Sequence, residues 1–243
     1  MYPETRSEMA VKHYRADKML VAVDCVIFGF DGEALKLLLI KRGFEPQKSK
    51  WSLMGGFVQP KESLDNAASR ILEQLTGLKG VFMEQLFAFG DPARDPMERT
   101  ISVVYYALVD IGQYKKQLSE DFHAEWFPLS ELPLLIFDHD QMVGTARERL
   151  QYKAALHPIL FELLPGRFTI RQLLDLYESV YGKELDKRNF IRKLQSSGLI
   201  IRQKEKEKGS SKKGAFYFKL DKRKYSSSLR SFISFLPTKE IFQ

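Results

Sequence analysis

Apolar residues crowd into two neighbouring runs, LVAVDCVIFGF over 20–30 and ALKLLLIK over 34–41. Both are rich in β-branched and aliphatic side chains. Asp31-Gly32 between them favours the positive φ of a tight turn, so the pair predicts a β-hairpin. Val81–Phe89 and Ile101–Val109 predict two further strands. Between the two pairs the period changes. Leu64, Ala67, Ala68, Ile71, Leu72 and Leu75 recur every three or four residues, which puts them on one face of a helix over 63–75. Another helix is expected at about 141–155. Strands mixed with packed helices predict an α/β or α+β sandwich for residues 1–156.

A second pattern begins at His157-Pro158, where proline should interrupt the preceding helix. Thr169 suits the N-cap of a helix that buries Ile170, Leu173, Leu174, Tyr177, Val180 and Tyr181, and Gly182 suits its end. Asp186 caps the next helix, which buries Phe190, Ile191 and Leu194 and stops at Gly198. Strands follow from Leu199 and from Ala215, joined by a long basic loop. Helix, turn, helix and charged hairpin predict a winged helix-turn-helix domain over 157–243. The chain as a whole is expected to be an α+β protein of two domains.

Charge separates the same two parts. The net +7 divides into +11 over 165–243, from 19 basic and 8 acidic residues, and −4 over 1–164, from 19 basic and 23 acidic. Such a split suggests that the C-terminal part faces a polyanion. In a helix-turn-helix module the second helix enters the major groove. Its exposed face here would carry Lys187, Arg188, Asn189, Arg192, Lys193 and Ser196. Arg188 and Asn189 are the candidates for reading base edges, because arginine pairs with guanine and asparagine with adenine. Arg192 and Lys193 suit phosphates. Lys204, Lys206, Lys208, Lys212 and Lys213 would bring the wing to backbone or minor groove.

The lone Cys25 excludes an internal disulfide framework and fits a reducing compartment. The first twenty residues mix charges and lack an apolar core segment. No run approaches the roughly 18 apolar residues of a membrane span. A cytoplasmic protein without membrane contact is expected. The four histidines have no metal-binding spacing, and Asp138-His139-Asp140 reads as a helix start with Asp140 as cap. No Ser–His–Asp signature or Walker phosphate loop is present.

The most specific stretch is GGFVQPKESLDNAASRILEQLTGL, Gly55 to Leu78. Gly56, Glu62, Arg70, Leu72, Gly77 and Leu78 fall in the register of the Nudix box, which it resembles. WSLMGGFV and EWFPLSELP extend the likeness across Met19 to Leu150. Nudix hydrolases cleave nucleoside diphosphate derivatives with divalent metal held by glutamates after the arginine. Those positions are Ile71, Gln74 and Leu75 here, and none offers the charged oxygen that Mg²⁺ requires. Glu73 lies at the variable position. The resemblance therefore implies a degenerate site with no metal, no cofactor and no catalytic residue. Glu62 and Arg70 are expected to pair. Gly55 and Gly56 allow backbone to approach a ligand, and Arg42, Arg94 and Arg99 suit a pyrophosphate. Trp51, Phe57 and Phe89 are candidates to stack on a base.

Taken together, the two parts resemble the Nudix-related transcriptional regulators of NAD metabolism. That likeness implies a homodimeric repressor of NAD-biosynthesis genes. It would bind double-stranded operator DNA at an inverted repeat and be released by ADP-ribose or a related nucleotide. The hinge between sensing and reading parts is expected at Ala155–Pro165. A sister group responds to sugars. An active hydrolase with a nucleic-acid-binding appendage and an RNA-binding protein are readings from other classes.

Overall fold

The computed structural model describes residues 18–114, 117–118, 123–207 and 214–227. A seven-stranded mixed sheet organises the first part. Its spine is β1 (Leu20–Phe30), which runs parallel to β6 (Thr100–Asp110) and antiparallel to β2 (Leu35–Lys41). β3 (Trp51–Ser52), β4 (Met54–Phe57), β5 (Glu84–Phe89) and β7 (Glu125–Pro128) complete it. β1 is buried on both faces, which explains its near-continuous apolar reading. Val23, Cys25 and Ile27 pack on the first helix, whereas Val26, Phe28 and Phe30 point to the opposite core. The two-residue period of a strand sorts them.

The first helix, α1 (Leu64–Thr76), begins where Ser63 accepts a hydrogen bond from the Asn66 amide at 3.2 Å. Gly77, at φ 80°, ends it in the left-handed conformation that residues with a Cβ rarely adopt. Ala67, Ala68, Ile71 and Leu72 form its buried face. The third expected strand is shorter than the pattern suggested. Val81 and Met83 pack against the α1 core, and pairing with β6 starts only at Glu84. A short helical turn, α2 (Ile111–Tyr114), follows β6, and α3 (His139–Leu156) covers the far face of the sheet. α3 starts two residues before the expected position. Its N-cap is Asp138 and not Asp140, because the Met142 amide already donates to the Asp138 carbonyl and so puts Asp140 inside the first turn. The Asp138 carboxylate, held by Arg94, adds no side-chain cap.

The second part is a winged helix. α4 (Ile170–Tyr181) opens with a reciprocal capping box between Thr169 and Gln172 and closes at Gly182. α5 (Lys187–Ser197) is capped by Asp186 and closes at Gly198. The hairpin β9 (Ile200–Glu207) and β10 (Ala215–Leu220) pairs with a two-residue strand β8 (Phe168–Thr169) that the sequence pattern did not reveal. α6 (Lys222–Ser227) follows. Every expected cap in this part is used as expected.

One apolar core joins the two parts. Val26, Phe28 and Phe30 of the sheet belong to the same buried cluster as Leu173, Tyr177 and Phe190 of the winged helix. The connection between them is a 3-10 turn over Ile159–Leu163, in which Leu160 and Leu163 are fully buried. The expected hinge at Ala155–Pro165 is therefore a packed piece of the core and not a free tether. No helix of the described residues is long and apolar enough to cross a membrane.

Candidate ligand cleft and nucleic-acid interface

A cleft of about 160 Å³ opens at the ends of β1, β2 and β4. Of the residues expected to meet a ligand, Arg42, Gly55, Gly56, Phe57 and Arg94 line it. Trp51, Glu62, Arg70, Glu73 and Arg99 do not. Trp51 is half-buried and packs edge-on against Phe127 at 4.7 Å, with Lys41 over its ring. Glu73 pairs with Lys79 on the outer side of α1 at 2.9 Å. Arg99 donates to the carbonyls of Asp91 and Thr100 and so braces its own loop. Phe89, the third stacking candidate, meets Phe87 edge-on at the sheet edge.

Glu62 and Arg70 pair as expected. Arg70 donates from Nε and Nη2 to both carboxylate oxygens, at 2.9 and 2.5 Å, and Nη2 also reaches the Phe57 carbonyl. The guanidinium holds the Glu62 carboxyl below the usual carboxylate range. The same arginine donates to Gln74 at 3.1 Å. Glu62 and Arg70 thus brace the loop before α1, and Gln74, at one of the three metal positions, is tied to the same arginine. The remaining metal positions are apolar. Ile71 is 3% exposed and fills the space above Gly56, where an added Cβ would lie 2.9 Å from its Cδ1. Leu75 lines the cleft. The residues present do not fit a divalent ion, and no group of three His, Cys, Asp or Glu among the described residues is arranged to hold one.

The cleft floor is polar in a way the sequence pattern did not disclose. Asp24 is the one charged residue of β1 and is buried. It accepts a hydrogen bond from Ser102 Oγ at 2.5 Å, since the parallel register seats these strands side by side. Arg94 makes a two-pronged pair with Asp138, at 2.9 and 2.8 Å, and stands 3.8 Å from Asp24. His139 accepts the Leu53 amide hydrogen on Nδ1 at 3.1 Å, which leaves its proton on Nε2, 3.6 Å from Asp24. Gly55 lies directly beneath this cluster. An added Cβ there would come within 2.1 Å of Asp24 Oδ1. A charged residue inside an otherwise apolar strand was the available sign of this cluster.

Arg42 stands at the cleft mouth. Its guanidinium lies 4.0 Å from the Phe44 ring centroid and 5.4 Å from that of Phe137. Phe44 and Phe57 are 62% and 52% exposed, so both present open aromatic surface at the cleft, Phe44 of them beside the cation. Cation, aromatic surface and close backbone at Gly55 and Gly56 suit an anionic ligand with a flat ring system.

Burial pushes the His139 pKa below its ordinary value, although Asp24 and Asp138 oppose the shift. The unfolded chain protonates this imidazole below about pH 6.5 while the folded chain keeps it neutral to lower pH. The unfolded state then binds more protons, so stability contributed here is lost as pH falls through that region. Urea unfolding between pH 7.5 and 5 should show a steeper loss for wild type than for His139→Gln. Equal slopes would overturn the assignment.

On the winged helix, Lys187, Arg188, Arg192 and Ser196 are exposed on α5, while Asn189 and Lys193 are half-buried. Arg188 has no partner among the described residues. Asn189 accepts a hydrogen bond from Arg192 at 2.8 Å, which orients both side chains along one edge. On β9, Lys206 lies over the Phe216 ring at 4.5 Å, as does Arg202 at 3.6 Å. Lys208, Lys212 and Lys213 of the expected wing lie outside the described residues.

Comparison with known proteins follows the same division. Residues 18–146 match the NUDIX domain and residues 160–220 match the NrtR DNA-binding winged helix domain. The chain is 36% identical to an ADPR responsive transcriptional repressor, NtrR, of Acinetobacter baylyi over 185 residues, 74% of each chain. Its first part is 37% identical over 123 residues to an ADP-ribose pyrophosphatase of Methanocaldococcus jannaschii, covering 51% of this chain and 70% of that one. Among solved structures, NrtR of Shewanella oneidensis in complex with a 27mer DNA superposes with a TM-score of 0.71. The two are 30% identical, over 85% of this chain and 95% of that one.

Proposed function

Since the chain belongs to the NrtR family of Nudix-related regulators, we propose that it represses genes of NAD biosynthesis and is released from DNA by ADP-ribose. It binds duplex DNA as a homodimer at an inverted repeat, because a two-fold protein reads a two-fold site. ADP-ribose occupies the cleft between Arg42, Phe44 and Phe57 without being turned over. The observation that carries this reading is the pairing of a cleft whose metal positions are Ile71, Gln74 and Leu75 with an exposed Arg188 on α5. One part retains the shape of a nucleotide site without its metal ligands, and the other presents a base-reading cation. Both relatives' names carry ADP-ribose, one as effector and one as substrate.

The test is fluorescence anisotropy with a duplex that the wild-type chain selects from a random-sequence pool. Binding should weaken steeply with salt as phosphate counterions are released. ADP-ribose should displace the duplex. Arg188→Ala should cost ~1–3 kcal/mol and relax sequence preference at one position of each half-site. A duplex retained at saturating ADP-ribose would overturn the effector assignment. Unchanged specificity in Arg188→Ala would overturn the base-reading one.

A further inference from the structure

The cleft and the DNA reader are held by opposite ends of one helix, and we propose that α3 is the strut through which an occupied cleft disturbs the winged helix. This inference rests on the reading above, that ADP-ribose fills the cleft and weakens DNA binding. At 18 residues α3 spans about 27 Å. Its inner face, including Met142, Ala146 and Leu150, sits fully buried in the core shared by both parts. A helix clamped along its length moves as a unit or not at all.

The first end of the strut is bolted to the cleft floor. Asp138 stands at the N-cap position but makes no cap hydrogen bond, because both of its carboxylate oxygens take donors from Arg94. His139 fixes the next position through the Leu53 amide. A diphosphate entering the cleft competes with Asp138 for the Arg94 guanidinium, since phosphate oxygens take the same paired donors. The Asp138 carboxylate, once displaced, stands where N-cap side chains capture the free amides of a first turn. Ligand occupancy thus alters the Arg94–Asp138 tie between the loop over 91–99 and the start of α3.

The second end is bolted to the helix-turn-helix. Gln151 donates from Nε2 to the Val180 carbonyl at 2.8 Å, and Tyr181 Oη donates to the Gln151 carbonyl at 2.8 Å. Arg147 Nη2 stands against Gly182, within 2.8 Å of where a Cβ would be. These three contacts grip the C-terminal turn of α4, where the helix dipole favours a cation. From there only the turn at 182–186 separates α4 from α5, and Glu178 holds that turn by accepting the Leu185 amide hydrogen at 2.9 Å. A shift of α3 is delivered to the start of α5, where Lys187 and Arg188 lie.

Coupling is read as the ratio of ADP-ribose dissociation constants for the DNA-bound and free full-length chain, with the selected duplex as probe. Linkage makes this ratio equal to the factor by which ADP-ribose weakens DNA binding. Wild type should give about 5–150-fold. Gln151→Ala and Tyr181→Phe lie outside the cleft and α5. Each should leave ADP-ribose affinity of the free chain unchanged while the ratio falls by roughly 2- to 30-fold. Tyr181→Phe removes a single hydroxyl, so the test survives if Gln151→Ala fails to fold. A wild-type ratio retained in both variants overturns the strut and leaves the regulatory reading standing. A ratio of one in wild type overturns that reading and the strut with it.

Discussion

ADP-ribose incubated with this protein and Mg²⁺ or Mn²⁺ should be recovered intact, at the rate seen without protein. The contrast is large, because enzymes of any class accelerate their reactions by roughly 10⁶-fold or more. Metal-assisted attack on a pyrophosphate needs carboxylates to hold the ion. Here Ile71 is buried against Gly56, Leu75 is apolar at the cleft wall, and Gln74 is held by Arg70. Glu62 is consumed by Arg70, and Glu73 faces Lys79 away from the cleft. AMP accumulating with metal and abolished by chelator would overturn the assignment and favour the pyrophosphatase relative's activity. Reversion is not a matter of one residue. A glutamate in place of Ile71 would bring a carboxylate into a site 3% exposed, at a cost of several kcal/mol.

The second large effect is on stability. Arg94→Met should destabilise the protein by ~3–5 kcal/mol, because it leaves two nearly buried carboxylates without their cation. The Asp24 and Asp138 side chains are 6% and 11% exposed, and Arg94 lies 3.8 and 2.8 Å from them. Methionine keeps much of the volume, so the loss reads as charge and not as a cavity. A shift in urea midpoint equivalent to less than ~1 kcal/mol would show that solvent or the neighbouring Arg42 compensates.

The pattern of residues disclosed the fold more fully than it disclosed the cleft. Caps and periods act over three or four residues, so Thr169, Asp186, Gly182 and Gly198 could each be read locally and each takes the expected place. The winged helix follows almost entirely from such signals. The cleft floor does not. Ser102 reaches Asp24 across 78 positions, and His139 reaches the Leu53 amide across 86. Those meetings depend on the β1–β6 register and on how α3 crosses the sheet, and no local period encodes either. The misplaced candidates have separate causes. Trp51 looks like a ligand aromatic beside its glycines, but Phe127, delivered by β7, holds it half-buried against the core. Arg99 looks like a pyrophosphate clamp, but the loop over 91–99 turns it back on its own carbonyls. Phe44 carried no motif of its own, although it stands only two positions after Arg42, whose guanidinium lies over its ring.

The apolar core shared by sheet and winged helix also bears on how such a protein is inherited and engineered. A reader on a flexible tether can be exchanged for another as a cassette. Here Phe161, Leu164 and Tyr177 are fitted against Phe28, Phe30 and Leu37 in one packed interior. A foreign winged helix joined at the same point would meet a sheet face shaped for other side chains. Recombination between family members should therefore succeed only where both surfaces travel together.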